Sequence, residues 1–301
     1  RRSLMSGVQQ PAEESHYMNF AVIGNPIEHS SSPALHNWVF RELGIDADYG
    51  KIKARNEDLQ KITTSLRTGK LNGINVTLPH KQTIVPLLDE LDHHAQTIGA
   101  VNCVAKTGNQ LKGYNTDWLG FTKALDANGI SIQGKDCLIL GAGGAARAVA
   151  YAASQNEPAS ITIANRTLEK ADSLASWINT VNSKIKANSI TLEEADTVTK
   201  VQIVINCTSL GMSPHSDTSP FTSHDLGQYH LLVDTVYTPP VTKFLFDGSS
   251  AGARTVGGLD MFIYQGLASL DLWFPKPISQ QVDVRSVSKY LKEKLMEASL
   301  S

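Results

Sequence analysis

The residues with the clearest chemical meaning lie near the middle of the chain, in the run LILGAGGAAR. An apolar strand leads into Gly141 and Gly143, and Ala146 completes the spacing G-x-G-x-x-A where a helix begins. The first glycine permits a tight turn, the second lets the backbone approach a pyrophosphate, and the small third residue packs helix against sheet. The N-terminus of the helix then offers N–H groups to the phosphates. This spacing predicts a dinucleotide site.

The end of the next strand indicates which dinucleotide binds. An NAD site carries an acidic residue about 20 residues after the glycines, where it binds the ribose 2′-hydroxyl. Here the strand SITIA ends in Asn165, Arg166 and Thr167, with Lys170 one helical turn later. A guanidinium group binds a 2′-phosphate through paired hydrogen bonds, whereas a carboxylate would repel it. NADP is therefore predicted, with an asparagine cap and solvated basic residues as the alternative.

A second set of polar residues follows the strands of the first third of the chain. The strand FAVI runs into three serines and Pro33, which also suit the start of a helix near Ala34. Hydroxyl groups at the carboxyl end of a strand lie where α/β folds bind ligands. Further polar side chains follow predicted strands, namely Asn75, Thr77, Lys81, Asn102, Asn115 and Asp117. Together they indicate a polyhydroxylated ligand.

The elements that position these residues alternate between strands and helices. In the first part, the strands FAVIG, ADYGKIKA and LNGINVTLP are separated by helices around PALHNWVFRELG and NEDLQKITTSLRTG. This βαβαβ order predicts a parallel sheet. A helix with polar turns in KQTIVPLLDELDHHAQTIGA, a hairpin in AVNCVAKTGNQLKGYN and a helix ending at Gly129 complete this part.

The pattern restarts at the glycine-rich turn. Strands are predicted at SITIANRT, KANSITL, VQIVINC, YHLLVDTV and ARTVG, with helices between them. We therefore predict an α/β protein of two domains: an N-terminal α/β domain with a mostly parallel sheet, and a Rossmann-type, doubly wound NADP-binding domain. The predicted segments are a disordered or non-native tail at 1–17, a substrate-binding domain at 18–117, the NADP domain at 118–257 and C-terminal helices at 258–301.

Composition excludes several other classes of function. The chain has 301 residues and a formal net charge of −2, without a lysine or arginine run that would attract nucleic acid or anionic lipid. The most apolar segment is too short and too interrupted to cross a bilayer. Cys103, Cys137 and Cys207 lack metal-type spacing, which predicts thiols in the reducing cytoplasm. The adjacent His93 and His94 lack the spacing of a metal motif, so no metal is predicted.

Nine segments together resemble the motifs of one family, the shikimate dehydrogenases. They are GNPIEHSSSPALHN, GINVTLPHK, GAVNCV, GYNTDWLGF, GAGGAAR, ANRT, INCTSLGM, DTVYTPPVT and GGLDMFIYQG, in the family's order and at similar spacing. The resemblance runs from about residue 18 to about residue 295. It implies reduction of 3-dehydroshikimate to shikimate with NADPH, a step toward chorismate and the aromatic amino acids.

The resemblance also implies roles for individual residues. Ser30 and Ser32, with Tyr237, would bind the substrate carboxylate, and Thr77, Asn102 and Gln265 would contact the ring hydroxyls. Lys81 and Asp117 would form the catalytic pair, because hydride transfer builds negative charge on the ketone oxygen and a lysine supplies both positive charge and a proton. The cofactor would contact Gly141, Gly143, Gly144, Ala145, Asn165, Arg166, Thr167, Lys170, Thr208, Met212 and Gly258.

By the same resemblance, the C-terminal helices return to the substrate domain, so that Gln265 reaches the substrate. The cleft between the domains would close on hinges near 117–120 and 256–260, and a homodimer is possible. The chain departs from the family's usual pattern at His80, Cys103, Lys170 and Gly266, and in the segment GGLDM.

Two alternatives stay open. A quinate/shikimate dehydrogenase with relaxed cofactor use would share nearly every motif, although it would favour an acidic residue at Asn165. A non-catalytic NADP-sensing protein would be expected to lack Lys81 or Asp117, and both residues are present.

Overall fold

The structure, a computed structural model, describes residues 17–198, 200–221 and 225–300. The predicted tail at 1–17 therefore lies outside the described residues, apart from Tyr17. Two six-stranded sheets are formed, one from each half of the chain. Within the described residues, no helix combines the length and the hydropathy that a membrane span requires.

The first sheet has the order β2-β1-β3-β5-β6-β4. Its strands are β1 (Met18–Gly24), β2 (Ala47–Lys53), β3 (Gly73–Val76), β4 (Glu90–Leu91), β5 (Cys103–Thr107) and β6 (Gln110–Tyr114). Strand β1 pairs in parallel with both β2 and β3, which confirms the predicted βαβαβ unit. Strands β5 and β6 form the predicted hairpin. Strand β4 was not predicted, because two residues are too few to show an alternating pattern.

The helices of this half are α1 (Ser32–Leu43), α2 (Leu59–Arg67), α3 (His93–Ile98) and α4 (Asp117–Ala127). Helix α1 begins two residues before the predicted Ala34, with Pro33 in its first turn. Its apolar face carries Leu35 and Val39, which pack with Phe20 of β1 in one core. Helix α4 leads out of the first sheet, and Asp117 is its first residue.

The second sheet has the order β12-β11-β10-β7-β8-β9, and every pair in it is parallel. Its strands are β7 (Asp136–Leu140), β8 (Ser160–Asn165), β9 (Lys186–Thr191), β10 (Ile203–Asn206), β11 (Leu231–Asp234) and β12 (Arg254–Val256). The helices that follow β7, β8 and β11 are α5 (Gly144–Ser154), α6 (Leu168–Val181) and α7 (Lys243–Ser250). The strand order reverses between β7 and β10, as in a doubly wound dinucleotide-binding sheet.

Two of the predicted helices in this half are wrong. Between β9 and β10, the described residues form only a 3₁₀ helix, Leu192–Thr197, after which Val198 is extended. Between β10 and β11, they form only the short 3₁₀ helix Leu226–Gln228. The second link contains Gly211, Pro214 and Pro220, and glycine and proline both oppose helix formation.

The last two helices, α8 (Gly258–Trp273) and α9 (Val284–Ser299), pack on the first domain, as the family resemblance implied. Ile263 and Leu291 lie in the same core as Phe20 and Leu35. Helix α8 also crosses α4 closely. A Cβ atom at Gly120 would lie 2.6 Å from the carbonyl oxygen of Met261, so only glycine fits this crossing without a shift. Helices α4 and α8 thus bring both connections between the domains together.

Candidate active site

A cavity of about 460 Å³ lies between the two domains. It is lined by every predicted catalytic and substrate-binding residue, which are Ser30, Ser32, Thr77, Lys81, Asn102, Asp117, Tyr237 and Gln265. Three predicted cofactor residues line it as well, namely Ala145, Met212 and Gly258. Residues from α1, α4, α5 and α8, and from the links that follow β3, β10 and β11, are thus brought to one place, although they are spread over most of the sequence.

Lys81 and Asp117 form an ion pair in this cavity. Lys81 Nζ lies 2.6 Å from Asp117 Oδ2, and their side chains are only 19% and 14% exposed. The other carboxylate oxygen, Asp117 Oδ1, accepts a hydrogen bond of 3.0 Å from Asn102 Nδ2. The carboxylate is therefore fixed at both oxygens. A carboxylate held in this way can orient the side chain of Lys81 toward a ligand in the cavity, where a lysine can supply positive charge and a proton.

Asn102 is itself held by Thr116, a residue that was not among the predicted site residues. The backbone N–H of Thr116 donates to Asn102 Oδ1 at 2.6 Å, and Asn102 Nδ2 donates to Thr116 Oγ1 at 2.8 Å. Thr116 Oγ1 also donates to the carbonyl oxygen of Gln265 at 3.0 Å. Because Thr116 is buried, these bonds exchange little with water. They fix α8, and with it Gln265, against the start of α4.

A second polar layer lies behind Asn102. Asn75 Nδ2 donates to Ser269 Oγ at 2.8 Å and to the Asn102 carbonyl at 3.1 Å. Asn75 Oδ1 accepts from the hydroxyl of Tyr49 at 2.7 Å. The sequence offered a signal for two members of this layer. Asn75 is polar within an apolar strand, and Ser269 lies one helical turn after Gln265.

The serines lie at the start of α1, on the other side of the cavity. The backbone N–H of Ser32 donates to Ser30 Oγ at 3.3 Å, and no side chain caps the helix. Free N–H groups and the helix dipole make such a terminus attractive to an anion. Tyr237 stacks on Phe262 with ring centroids 4.5 Å apart, and burial raises the pKa of Tyr237 to about 12. Its hydroxyl therefore stays protonated, and the three hydroxyl groups can bind a carboxylate.

Two histidines near the cavity are buried in the protein interior. His36 is fully buried, its ring stacks on Tyr49 at 4.2 Å, and neither ring nitrogen has a hydrogen-bond partner in the described residues. Burial lowers the pKa of His36 to about 3, so it stays neutral and serves packing rather than acid catalysis. His80 Nε2 donates to the carbonyl of Ala54 at 2.6 Å, which holds its ring in the protein interior beside Lys81.

The glycine-rich turn presents open backbone at the start of α5. Gly141 has a φ of +105°, and a Cβ atom there would lie 3.0 Å from the carbonyl oxygen of Cys207. At Gly143 and Gly144, by contrast, no heavy atom beyond the adjacent backbone lies within 4 Å of the position of a Cβ atom. No side chain caps α5. The N–H group of Gly141 donates to the Ala164 carbonyl at 2.7 Å, so a pyrophosphate would bind at the N-terminus of α5, where the space for it is present.

The predicted 2′-phosphate residues lie at the end of β8 and the start of α6. Asn165 Nδ2 donates to the carbonyl of Thr167 at 2.9 Å, which shapes the turn. Arg166 and Lys170 are exposed, and within the described chain neither forms an ion pair. Two exposed cations beside a dinucleotide-binding turn fit a 2′-phosphate.

A buried network supports the cofactor side of the cavity. Thr208 Oγ1 donates to Asn206 Oδ1 at 2.6 Å, and Asn206 Nδ2 donates to Asp234 Oδ1 at 3.0 Å. Asp234 is almost fully buried, and burial raises its pKa to about 6.

Met212 is 45% exposed at the rim, where a flat ring would contact its thioether. A Cβ atom at Gly258 would lie only 2.3 Å from the Thr235 carbonyl, so the backbones touch there.

These features define the class of protein. A parallel, doubly wound sheet offers a glycine-rich turn and exposed cations, and a lysine–carboxylate pair faces it across a cavity with hydroxyl and amide groups. This is the arrangement of a two-domain, NADP-dependent oxidoreductase that acts on a small polar carbonyl compound.

Comparison with known proteins then gives the family. Residues 22–104 match the family described as shikimate dehydrogenase substrate binding domain, and residues 123–216 match the family shikimate / quinate 5-dehydrogenase. The shikimate dehydrogenase (NADP(+)) of Alkaliphilus metalliredigens (strain QYMF) is 39% identical over 256 residues, which cover 84% of this chain and 90% of that protein. The chain belongs to the shikimate dehydrogenase family.

Solved structures agree with this assignment. The shikimate 5-dehydrogenase of Listeria monocytogenes, in complex with shikimate and NAD, has a TM-score of 0.83 at 30% identity, covering 94% of this chain and 99% of that chain. The ligand-free 5-ketofructose reductase of Gluconobacter sp. strain CHM43 has a TM-score of 0.82 at 29% identity, covering 92% of this chain and 98% of that chain. The second likeness shows that this fold also serves a reductase with a different named substrate.

Proposed function

We propose that the protein catalyses the reversible, NADPH-dependent reduction of 3-dehydroshikimate to shikimate, a step of chorismate and aromatic amino-acid biosynthesis. The observation that carries the proposal is the Lys81–Asp117 pair, 2.6 Å apart in a cavity that also contains every predicted substrate-binding residue. The sequence relatives named for this activity, which cover most of the chain, support the same conclusion.

The residues that line the cavity fall into groups, which would bind the substrate's carboxylate, its ring and its reacting end. At the carboxylate end, Ser30, Ser32 and Tyr237 donate hydrogen bonds, and the N-terminus of α1 adds its dipole. Around the ring, Thr77, Asn102 and Gln265 contact the hydroxyl groups. A substrate that lacked the carboxylate would leave the first three donors without a partner, which is how the site would discriminate against it.

At the reacting end, the chain supplies charge and a proton. When NADPH is bound, it supplies a hydride, with its two electrons, to the ketone carbon. Lys81 stabilises the negative charge that develops on the ketone oxygen and donates the proton that completes the hydroxyl group. Asp117 accepts the hydrogen bond that orients Lys81 and, through Asn102, is itself held in place. The neutral amine of Lys81 then regains a proton from solvent or through Asp117.

The second domain would bind NADP along the carboxyl edge of its sheet. Gly141, Gly143, Gly144 and Ala145 form the pyrophosphate turn. Asn165, Arg166, Thr167 and Lys170 would surround the 2′-phosphate. Met212 and Gly258 line the cavity, and Thr208 precedes Met212 by four residues; these three residues would lie near the nicotinamide.

The remaining assignments are proposals on the same basis. Residues 18–117, with the helices at 258–301, would form the substrate domain, and residues 118–257 the NADP domain, with hinges near 117–120 and 256–260.

The cysteines of the described chain are free, and burial raises the pKa of each thiol, which supports a reducing compartment and hence the cytoplasm. A homodimer stays a prediction for sedimentation to test.

Assays that combine each of two substrates with each of two cofactors test this function against its alternatives. Shikimate and quinate would each be offered with NADP and with NAD, and the absorbance of the reduced nicotinamide would be followed. We expect shikimate with NADP to be the best pair. Comparable rates with quinate or NAD would favour the relaxed quinate/shikimate enzyme, for which the NAD complex of the Listeria monocytogenes neighbour is a precedent. No turnover of shikimate, together with tight NADP binding, would favour the non-catalytic sensor.

A further inference from the structure

Helix α5 carries two side chains that cross from the second domain to the first. Arg147 and Tyr151 are four residues apart and so lie on the same face of the helix. Arg147 Nε donates a hydrogen bond to the carbonyl of Ile98, the last residue of α3. The hydroxyl of Tyr151 shares a hydrogen bond of 2.7 Å with Nδ1 of His94, at the start of α3. Two polar contacts therefore join the helix of the glycine turn to the substrate domain.

Aromatic rings enclose both contacts. The Trp118 ring lies 4.3 Å from that of His94 and 5.7 Å from that of Tyr151, in each case between ring centroids. The Arg147 guanidinium lies 3.9 Å from the centroid of the Trp177 ring, close enough for a cation–π interaction. Burial lowers the pKa of Arg147, and no described carboxylate forms an ion pair with it. Its polar contact is thus with the other domain rather than with a charge in its own.

On the substrate side, α3 leads directly into the active site. Asn102 follows Ile98 by four residues. Within that segment, the Val101 N–H donates to the Lys81 carbonyl at 2.8 Å. Asn102 then binds Asp117. The segment that Arg147 contacts is therefore tied to both members of the catalytic pair.

On the cofactor side, Arg147 lies close in sequence to a residue that lines the cavity. Ala145 lines the cavity and precedes Arg147 by two residues on the first turn of α5. A shift of α5 relative to α3 would consequently move the pyrophosphate turn relative to Lys81. Rate depends steeply on such a shift, since a misplacement of about 1 Å can lower it by about 100-fold.

We propose, resting on the function proposed above, that Arg147 and Tyr151 are positioning residues for hydride transfer. They hold α5, and with it the bound cofactor, at the distance from the substrate that the reaction requires. They touch neither substrate nor the reacting atoms, and they act through α3 and the glycine turn.

Single-turnover kinetics test this role. Enzyme saturated with NADPH is mixed with saturating 3-dehydroshikimate in a stopped-flow instrument, and NADPH oxidation is followed. Arg147→Gln and Tyr151→Phe should each lower the transfer rate about tenfold or more, while the Kd for NADPH stays within about twofold. Arg147→Lys, which keeps a cationic donor, should recover part of the rate. Tyr151→Phe removes a single oxygen, so it provides the test even if Arg147→Gln does not fold.

Arg67→Gln is the matched control. Arg67 forms an ion pair of 2.6 Å with Asp89 and donates to the Asn109 carbonyl at 2.8 Å, all within the first domain. Its loss should lower Tm and leave the transfer rate unchanged. The proposal is overturned if Arg147→Gln and Tyr151→Phe behave like this control, or if they weaken NADPH binding alone. A wild type that does not reduce 3-dehydroshikimate would instead overturn the proposed function, and the positioning role with it.

Discussion

Replacing Lys81 with methionine removes the positive charge while keeping most of the side chain's length. At an effective dielectric constant of about 20, a unit charge about 3 Å from a half-formed alkoxide stabilises it by about 3 kcal/mol. That alone corresponds to about 100-fold in rate, since about 1.36 kcal/mol is a factor of ten. Loss of the positioned proton donor adds to it, so kcat should fall by about 10²–10⁴-fold.

The assay is steady-state oxidation of shikimate with NADP, run on three variants. Lys81→Met and Asp117→Asn should each lower kcat. The double variant should lose much less than the product of the single losses, because the two side chains act as one unit 2.6 Å apart. Lys112→Met is the control, since Lys112 pairs with Glu90 at 2.8 Å on the same sheet but does not line the cavity. It should leave kcat unchanged.

Circular dichroism and NADP titration first establish that each variant keeps its fold and its cofactor site. Folded Lys81→Met with near-normal kcat would refute the reasoning, because another group would then have to protonate the ketone oxygen. Strictly multiplicative losses in the double variant would refute the claim that Lys81 and Asp117 act together.

Three further predictions concern other parts of the site. Arg166→Ala should weaken NADP binding by about 1.5–3 kcal/mol, the value of a hydrogen bond to a charged group, and barely change NAD binding; calorimetric titration showing equal losses for both cofactors would contradict a 2′-phosphate contact. Ser30→Ala and Ser32→Ala should raise KM for shikimate more than they lower kcat, because the carboxylate lies away from the reacting carbon; unchanged kinetics in both variants would leave these serines only a role in the turn. Asp234 titrates with a pKa raised from 3.8 to about 6, so the folded protein binds this proton more tightly than the unfolded chain does. Its stabilising contribution is fully present below about pH 3.8 and is lost as the pH rises through about 6. Relative to Asp234→Asn, the wild type should therefore lose about 1–3 kcal/mol of unfolding free energy between about pH 4 and pH 7, measured with urea; a difference independent of pH would contradict this.

Local motifs allowed much of the fold and the cofactor side to be predicted. The glycine turn, Arg166 and Lys170 lie within one strand-turn-helix-strand segment, so their proximity follows from short-range geometry. The parallel unit of β1 to β3 likewise follows from the alternation of apolar segments. The Lys81–Asp117 pair is different. Its members are separated by 36 positions, and only the family resemblance, not their spacing, predicted that they meet.

The contacts that sequence reasoning missed all depend on tertiary packing. Thr116 follows a strand, where a threonine ordinarily only caps a turn, and nothing local shows that it binds both Asn102 and Gln265. Tyr151 lies in an alanine-rich helix and has the pattern of a core residue. His94 was considered only as one of two adjacent histidines. The helices predicted before β10 and before β11 were wrong. For the second of these, the reason is visible in the sequence, because glycine and two prolines interrupt the segment.

The central claim is that this cavity reduces 3-dehydroshikimate with NADPH, and product analysis tests it most directly. Purified wild-type protein would be incubated with a limiting, known amount of NADPH and excess 3-dehydroshikimate, and the organic products would be separated and quantified. We predict one molecule of shikimate for each NADPH oxidised, and Lys81→Met should form shikimate at least about 100-fold more slowly than the wild type. NADPH oxidation without shikimate, or none at all from folded protein that binds both compounds, would contradict the account.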